Sequence, residues 1–117
     1  MAKTENADKE CPMEIGLNLL GGRWRLRIMW HLLSGPIRFN ELKRRLTPIT
    51  TRSLARELDV LEEAGIISRT VYPQVPPKVE YSITELGKSI RPVMDTLCAW
   101  GRLYAESRYA EKGGKEE

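Results

Sequence analysis

Two arginines one helical turn apart, Arg52 and Arg56, are the residues best placed to do chemistry in this chain. They lie in a run, Thr50–Ala64, where Leu54, Leu58 and Leu61 recur at i, i+4 and i+7, one stripe of a 3.6-residue helix. Arg52 and Arg56 fall on the opposite side. The run therefore predicts a helix with a buried leucine face and a cationic face toward its leading end, while Glu57, Asp59, Glu62 and Glu63 make the trailing half acidic. A guanidinium carries a fork of donors that matches the major-groove edge of guanine or a phosphate. A helix that is basic only at its leading end suits entry into a DNA groove, because only that end approaches phosphates. For any single charge, solvated surface is the competing reading.

Cys11 is the second candidate. It precedes Pro12, which suits the first position of a helix. A thiol at a helix start meets the positive end of the helix dipole, which favours the thiolate. Two readings stand: a sensor that is oxidised or alkylated, and a small N-cap residue. Cys98 reads as a packing residue at a dimer seam, with pairing to Cys11 of either subunit as the alternative. Two cysteines are too few for a disulfide scaffold. His31 has no cysteine or carboxylate at ligand spacing, so no metal site is expected. One histidine, no glycine-rich phosphate loop and no nucleophile–base set leave nothing to run a reaction, so neither an enzyme nor a cofactor is expected.

The elements that must hold these residues follow from periodicity and punctuation. Residues 1–10 are polar and read as a disordered arm. Pro12–Leu20 reads as a helix with Met13, Leu17 and Leu20 on one stripe, ended by Gly21-Gly22. A second helix, about Arg23–Leu33, has Leu26, Met29, Trp30 and Leu33 on one side and stops at Gly35-Pro36. Pro36–Arg38 fits a short strand. Phe39–Leu46 is a short third helix with Phe39, Leu42 and Leu46 inward. Thr47-Pro48-Ile49 turns into the central helix, which Thr50 caps and Gly65 ends in a left-handed conformation. Ile66–Tyr72 and Lys78–Ile83 form a hairpin across Pro73-Gln74-Val75-Pro76-Pro77, a wing at residues 66–83. Thr84 caps a final helix, about 85–107, carrying Leu86, Ile90, Val93, Leu97, Trp100 and Tyr104 as a stripe, with a restart near Ser89–Pro92. Residues 108–117 read as a flexible tail. No internal repeat is visible.

At 117 residues with 41% apolar content the chain is expected to form one domain. Its net charge is only +3, but the charge is segregated. From Arg23 to Arg56 nine basic residues meet one acid, Glu41, giving +8 and leaving −5 for the rest. Segregation of this kind points to a local anionic partner. No run approaches the ~18 apolar residues of a membrane span, and no signal-peptide core is present, so a cytoplasmic location is expected and no membrane partner. The terminal helices are surplus to a closed three-helix unit with a hairpin. They predict a homodimer through residues about 12–20 and 85–107, using Met13, Leu17, Leu20, Ile90, Val93, Leu97, Trp100 and Tyr104. Paired recognition helices would suit a palindromic operator in double-stranded DNA.

Cys11-Pro12, Leu20-Gly21-Gly22-Arg23-Trp24, Gly35-Pro36-Ile37-Arg38-Phe39-Asn40-Glu41-Leu42, Val75-Pro76-Pro77 and Val79-Glu80-Tyr81-Ser82-Ile83-Thr84-Glu85-Leu86-Gly87 resemble the HxlR-type winged-helix transcriptional regulators, which are related to the MarR-type regulators. The likeness spans about Cys11–Trp100. It implies a mainly α fold with a small β-hairpin (α+β), a winged helix-turn-helix with N- and C-terminal dimerisation helices. It also implies a cytoplasmic, bacterial, DNA-binding homodimer whose helix Thr50–Ala64 enters the major groove while the wing reaches the flank. Several members sense electrophiles or oxidants through an N-terminal cysteine at the place of Cys11. Members often carry long polar side chains where this chain has Thr51, Ser53 and Ala55, so the operator does not carry over.

The expected DNA contacts are Arg52 and Arg56, flanked by Thr50, Thr51, Ser53 and Ala55. Arg38, Lys43 and Arg44 are expected on phosphates, with Gln74 and Lys78 on the wing. Repression is the expected mode, since occluding a promoter needs no activating surface. Two alternatives remain open. One is a winged-helix module for protein–protein contact. The other is a regulator with a small aromatic effector held among Trp24, Trp30, Trp100 and Tyr104, residues that equally serve as core or interface anchors.

Overall fold

The computed structural model describes residues 11–116, with side-chain surroundings for 11–110; residues 1–10, read as a disordered arm, lie outside the described part. The order is α1 Pro12–Leu20, α2 Arg25–Leu32, β1 Ile37–Arg38, α3 Phe39–Arg45, α4 Thr51–Glu63, β2 Ile67–Tyr72, β3 Lys78–Ile83, α5 Glu85–Lys88 and α6 Arg91–Glu116. This is the expected α+β winged helix-turn-helix.

Leu54, Leu58 and Leu61 of α4 are wholly buried, as their spacing predicts. They join Ile28, Met29 and Leu32 of α2, Leu42 and Leu46 around α3, and Ile49, which plugs the turn before α4. Ile66, Ile67, Tyr81 and Ile83 close this core from the sheet side. The sheet is antiparallel with strand order β1-β3-β2. Its register pairs Ile37 with Tyr81 on one side of β3 and Ile67 with Ile83 through Tyr72 with Lys78 on the other.

Both ends of α4 are satisfied locally. Thr50 Oγ1 accepts the Ser53 N–H at 3.0 Å. At the other end Gly65 sits at φ +81, the Gly65 N–H reaches Glu62 O and the Ile66 N–H reaches Leu61 O. That double bond pattern, with Ile66 and Leu61 both buried, is a Schellman stop. Thr84 does two tasks: its Oγ1 accepts the Gly87 N–H at 3.1 Å and donates to the Gly65 and Ile66 carbonyls at 2.7 and 2.9 Å. This knot fixes the hairpin's exit against the end of α4.

The structure refines three readings of the sequence. The stripe on α2 is not one buried face: Met29 is in the core, but Leu26 and Leu33 are half-buried and Trp30 is exposed, while Ile28 and Leu32 are buried instead. The helix has apolar residues on two sides, and only one side meets the core. Of the final stripe, expected at a dimer seam, Leu86, Val93, Leu97, Trp100 and Tyr104 stay off the core of their own domain while Ile90 packs against it; among the described residues of α6, Met94 is the buried one. Last, α6 continues beyond Ser107 through Gly113-Gly114 to Glu116. The restart falls where expected, at Ser89-Ile90, with Pro92 at the second position of α6, where its missing N–H costs nothing. The radius of gyration is 17.7 Å, against about 13 Å for a compact chain of this length. A helix of ~39 Å leaving its domain accounts for the difference.

Gly87 is a requirement that periodicity did not reveal. A Cβ there would collide with the Ile66 carbonyl oxygen and meet Ile83 Cγ1 at 2.6 Å. Here α5 lies directly on the sheet. Gly87→Ala is expected to lower stability by about 1–3 kcal/mol, the usual cost of overpacking, read as a lower urea midpoint at unchanged slope.

Candidate nucleic-acid interface

The turn between α3 and α4 sets the site. Leu46 and Ile49 anchor it in the core, with the Ile49 N–H on Leu46 O at 2.9 Å. This sends α4 off with its leucines inward and the flank Thr51, Arg52, Ala55 and Arg56 in solvent. Ser53 and Glu57, one turn apart on the neighbouring edge, are half-buried. The first turn of α4 carries no acidic residue, so its positive dipole end stays available to an anion.

The fold sorts the basic residues into partnered and free. Arg44 bonds Glu41 at 3.1 and 2.5 Å, and Arg45 bonds the same carboxylate at 2.9 Å. The two guanidinium groups hold the Glu41 carboxyl below its usual range, Arg44 first. Lys78, expected to be free on the wing, lies 3.4 Å from Glu80 and 4.7 Å over the Tyr72 ring. The hydrogen bond to Glu80 raises the Tyr72 phenol above its ordinary value. Arg25 pairs with Glu57 at 2.6 Å. Arg23 and Arg27 lie against the Trp24 ring, 4.5 and 5.0 Å from its centroid. Arg38, Lys43, Arg52 and Arg56 make no such bond among the described residues. Arg44 and Lys78 therefore have less charge to offer phosphates than the sequence reading gave them.

The wing projects as expected. Val75 at its tip is 99% exposed, beside Gln74. Between the wing and the start of α3 lies a cleft of about 450 Å³ lined by Arg38, Asn40, Gln74, Pro76 and Lys78, among others. Arg69, overlooked in the sequence, stands opposite Tyr81 on β2. Burial pushes the Tyr81 phenol up, opposed by the Arg69 guanidinium that hydrogen-bonds it.

Cys11 is exposed and caps α1 by backbone position only; its side chain makes no cap hydrogen bond. Cys98 is also exposed, at a cavity of about 280 Å³ with Leu26, Arg27, Trp30, Met94 and Leu97. The four aromatic residues named as an effector pocket do not converge. Trp24 lies against the two arginines, Trp30 lines that cavity, and Trp100 stacks on Tyr104 at 5.4 Å. Of the residues expected at a dimer seam, Met13, Leu17, Val93, Leu97, Trp100 and Tyr104 are each at least half exposed. Leu20 and Ile90 instead lean on their own core. Burial and the charge of Arg45 and Arg27 lower the His31 pKa. Among the described residues no cluster of His, Cys, Asp and Glu could hold a metal ion, and no helix is long and apolar enough to cross a membrane.

A helix pair that presents one capped helix, basic along its leading flank, beside a β-hairpin wing is a winged helix-turn-helix. Residues 19–109 match the HxlR-like helix-turn-helix family, and the chain belongs to that family. It is 48% identical over 101 residues to the uncharacterized HTH-type transcriptional regulator YkvN of Bacillus subtilis, covering 86% of each chain. Its fold is similar to that of the redox regulator HypR in its reduced form, at TM-score 0.76 and 43% identity, over 79% of this chain and 91% of that one. It is also similar to the reduced transcriptional regulator YodB of B. subtilis, at TM-score 0.71 and 39% identity, over 78% and 90% of the two chains. The family and its relatives are transcription regulators, and DNA binding is what such a family implies.

Proposed function

We propose that this regulator works in the cytoplasm as a homodimer on a palindromic duplex, represses by occlusion, and is released by oxidants or electrophiles acting at Cys11. In this reading α4 of each subunit enters the major groove, Arg52 and Arg56 contact bases or phosphates, and Thr51 and Ala55 line the approach. Arg38, Lys43 and the wing hold the flanking backbone. The observation that carries the reading is the sorting of charge: Arg25, Arg44, Arg45 and Lys78 are paired with carboxylates, whereas both arginines of α4, on its exposed leading flank, have no such partner among the described residues. The capped, acid-free end of α4 suits any anion; the projecting hairpin beside it is what favours duplex DNA over an acidic protein partner.

Counterion release gives the test. With about three phosphates neutralised per subunit, the log–log salt slope of duplex binding is expected near −5. A slope near zero would sink the DNA reading and leave the protein-partner one standing. The redox part is supported by the likeness to HypR, which is named a redox regulator, and by an exposed Cys11 whose side chain has no capping role. Treatment with diamide or a quinone is expected to abolish specific binding by the native protein but not by Cys11→Ser, with thiol restoring it after diamide. Equal sensitivity of both proteins would remove Cys11 as the sensor. The apolar cavity beside Trp30 and Cys98 favours a second reading, a small non-covalent effector, which binding indifferent to oxidant would bring forward.

A further inference from the structure

Arg25 holds two elements at once. Its Nε donates to Glu57 Oε1 of α4 at 2.6 Å, across 32 residues of sequence. Its Nη1 donates to the Asn18 and Leu19 carbonyls at the end of α1, at 3.2 and 2.9 Å. The pair is three-quarters or more buried, with side-chain exposures of 20% and 16%. The ion pairs of Glu41, Lys78 and Lys88, by contrast, join residues at most four apart on one element.

The chemistry explains the geometry. The last carbonyls of α1 form its negative pole and need a donor, yet the last turn of α1 contains no basic residue. Arg25, at the first position of α2, supplies that charge from the next helix. A planar guanidinium can serve Glu57 and two carbonyls together; an ammonium is a single point of charge and cannot span them. Otherwise α1 has a weak hold on the domain. None of its nine residues is buried, and only Leu19 and Leu20 lean on the core. Glu57 follows Arg56 directly and shares the half-buried edge of α4 with Ser53.

We propose that Arg25 is a positioning residue that ties the pose of the recognition helix α4 to the docking of α1. A change at α1 then reaches Arg52 and Arg56 through one guanidinium. This deepens the DNA-binding reading and rests on it: Cys11 caps the same nine-residue helix at its other end, so a covalent change there can loosen the carbonyl end and free the edge of α4.

The test uses the full chain and the duplex that the native protein selects from a random-sequence library. Arg25→Lys keeps the net charge and Glu57→Gln raises it, so neither weakens the attraction to phosphates. Both are expected to lower affinity for the selected duplex at least about tenfold, as displaced base contacts do, while affinity for an unrelated duplex stays at the native value for Arg25→Lys and at or above it for Glu57→Gln. The double variant is expected to lose little more than either single one. Specific affinity within about twofold of native for both variants, or specific and non-specific affinity falling together with the melting temperature, would overturn the proposal. If Arg25→Lys fails to fold, Glu57→Gln decides alone. If the native protein selects no duplex, the DNA reading fails, and the tie is still read by hydrogen exchange. Faster exchange in both α1 and residues 54–58 of α4 upholds it; a change confined to α1 overturns it.

Discussion

Replacing Arg52 and Arg56 together with alanine is expected to give a folded protein that no longer distinguishes its operator from other DNA. Both side chains are exposed on α4 and contribute nothing to the leucine face, so melting temperature and helix content should match the native protein. A bidentate arginine–guanine contact is worth about 1–3 kcal/mol of discrimination. A dimer that places α4 in two half-sites loses each contact twice, so even one substitution should cost about 2–6 kcal/mol, at least about thirtyfold. The measurement is fluorescence anisotropy on the selected duplex and on an unrelated one, across a salt series. Loss confined to the selected duplex assigns the arginines to bases. A parallel loss on both duplexes with a shallower salt slope assigns them to phosphates. Native affinity for both duplexes would remove α4 from the interface.

The same pair shows what a sequence can disclose. The frame of α4 was legible because three constraints agreed: the leucine period, a threonine cap and a glycine stop, each settled by residues within a turn of one another. The wing was legible for a similar reason, since five residues with three prolines can only interrupt a ladder. What stayed hidden depends on residues far apart in sequence. Arg25 looked like one more cation of a basic segment, because its partner Glu57 is 32 residues away. Lys78 looked free although Glu80, two residues on along the same face of β3, lies within reach; its other contact, the Tyr72 ring, follows only from the register that pairs Tyr72 with Lys78. The faces of α2 could not be ranked from spacing, since both sides of that helix are apolar and the core chooses one. Gly87 carried no local signal; its need arises where α5 meets Ile66 and Ile83.

A charge placed on the free face of α6 is expected to separate the subunits without unfolding them. Leu97 and Trp100 are 50% and 58% exposed, outside the core of their own domain, and continue a surface that includes Val93, Leu103 and Tyr104. Met13 and Leu17 of α1 add more apolar surface, at 71% and 62% exposure. Large apolar side chains exposed along one helix in this way mark an interaction surface, and large aromatic residues among them are the usual anchors. Leu97→Glu combined with Trp100→Glu would have to bury two unpaired charges in any symmetric pairing, and each substitution acts twice across a two-fold axis. Sedimentation equilibrium is expected to show a dimer for the native chain and a monomer for the variant at the same micromolar concentration. Met94 still tethers the start of the helix to the core, so the variant's far-ultraviolet spectrum should remain native. DNA provides a second readout. A monomer keeps α4 and the wing but engages one half-site, so its salt slope should fall to about half the native value. Retention of the dimer would show that α1 and α6 do not join the subunits. A native monomer would leave this apolar face to a different partner.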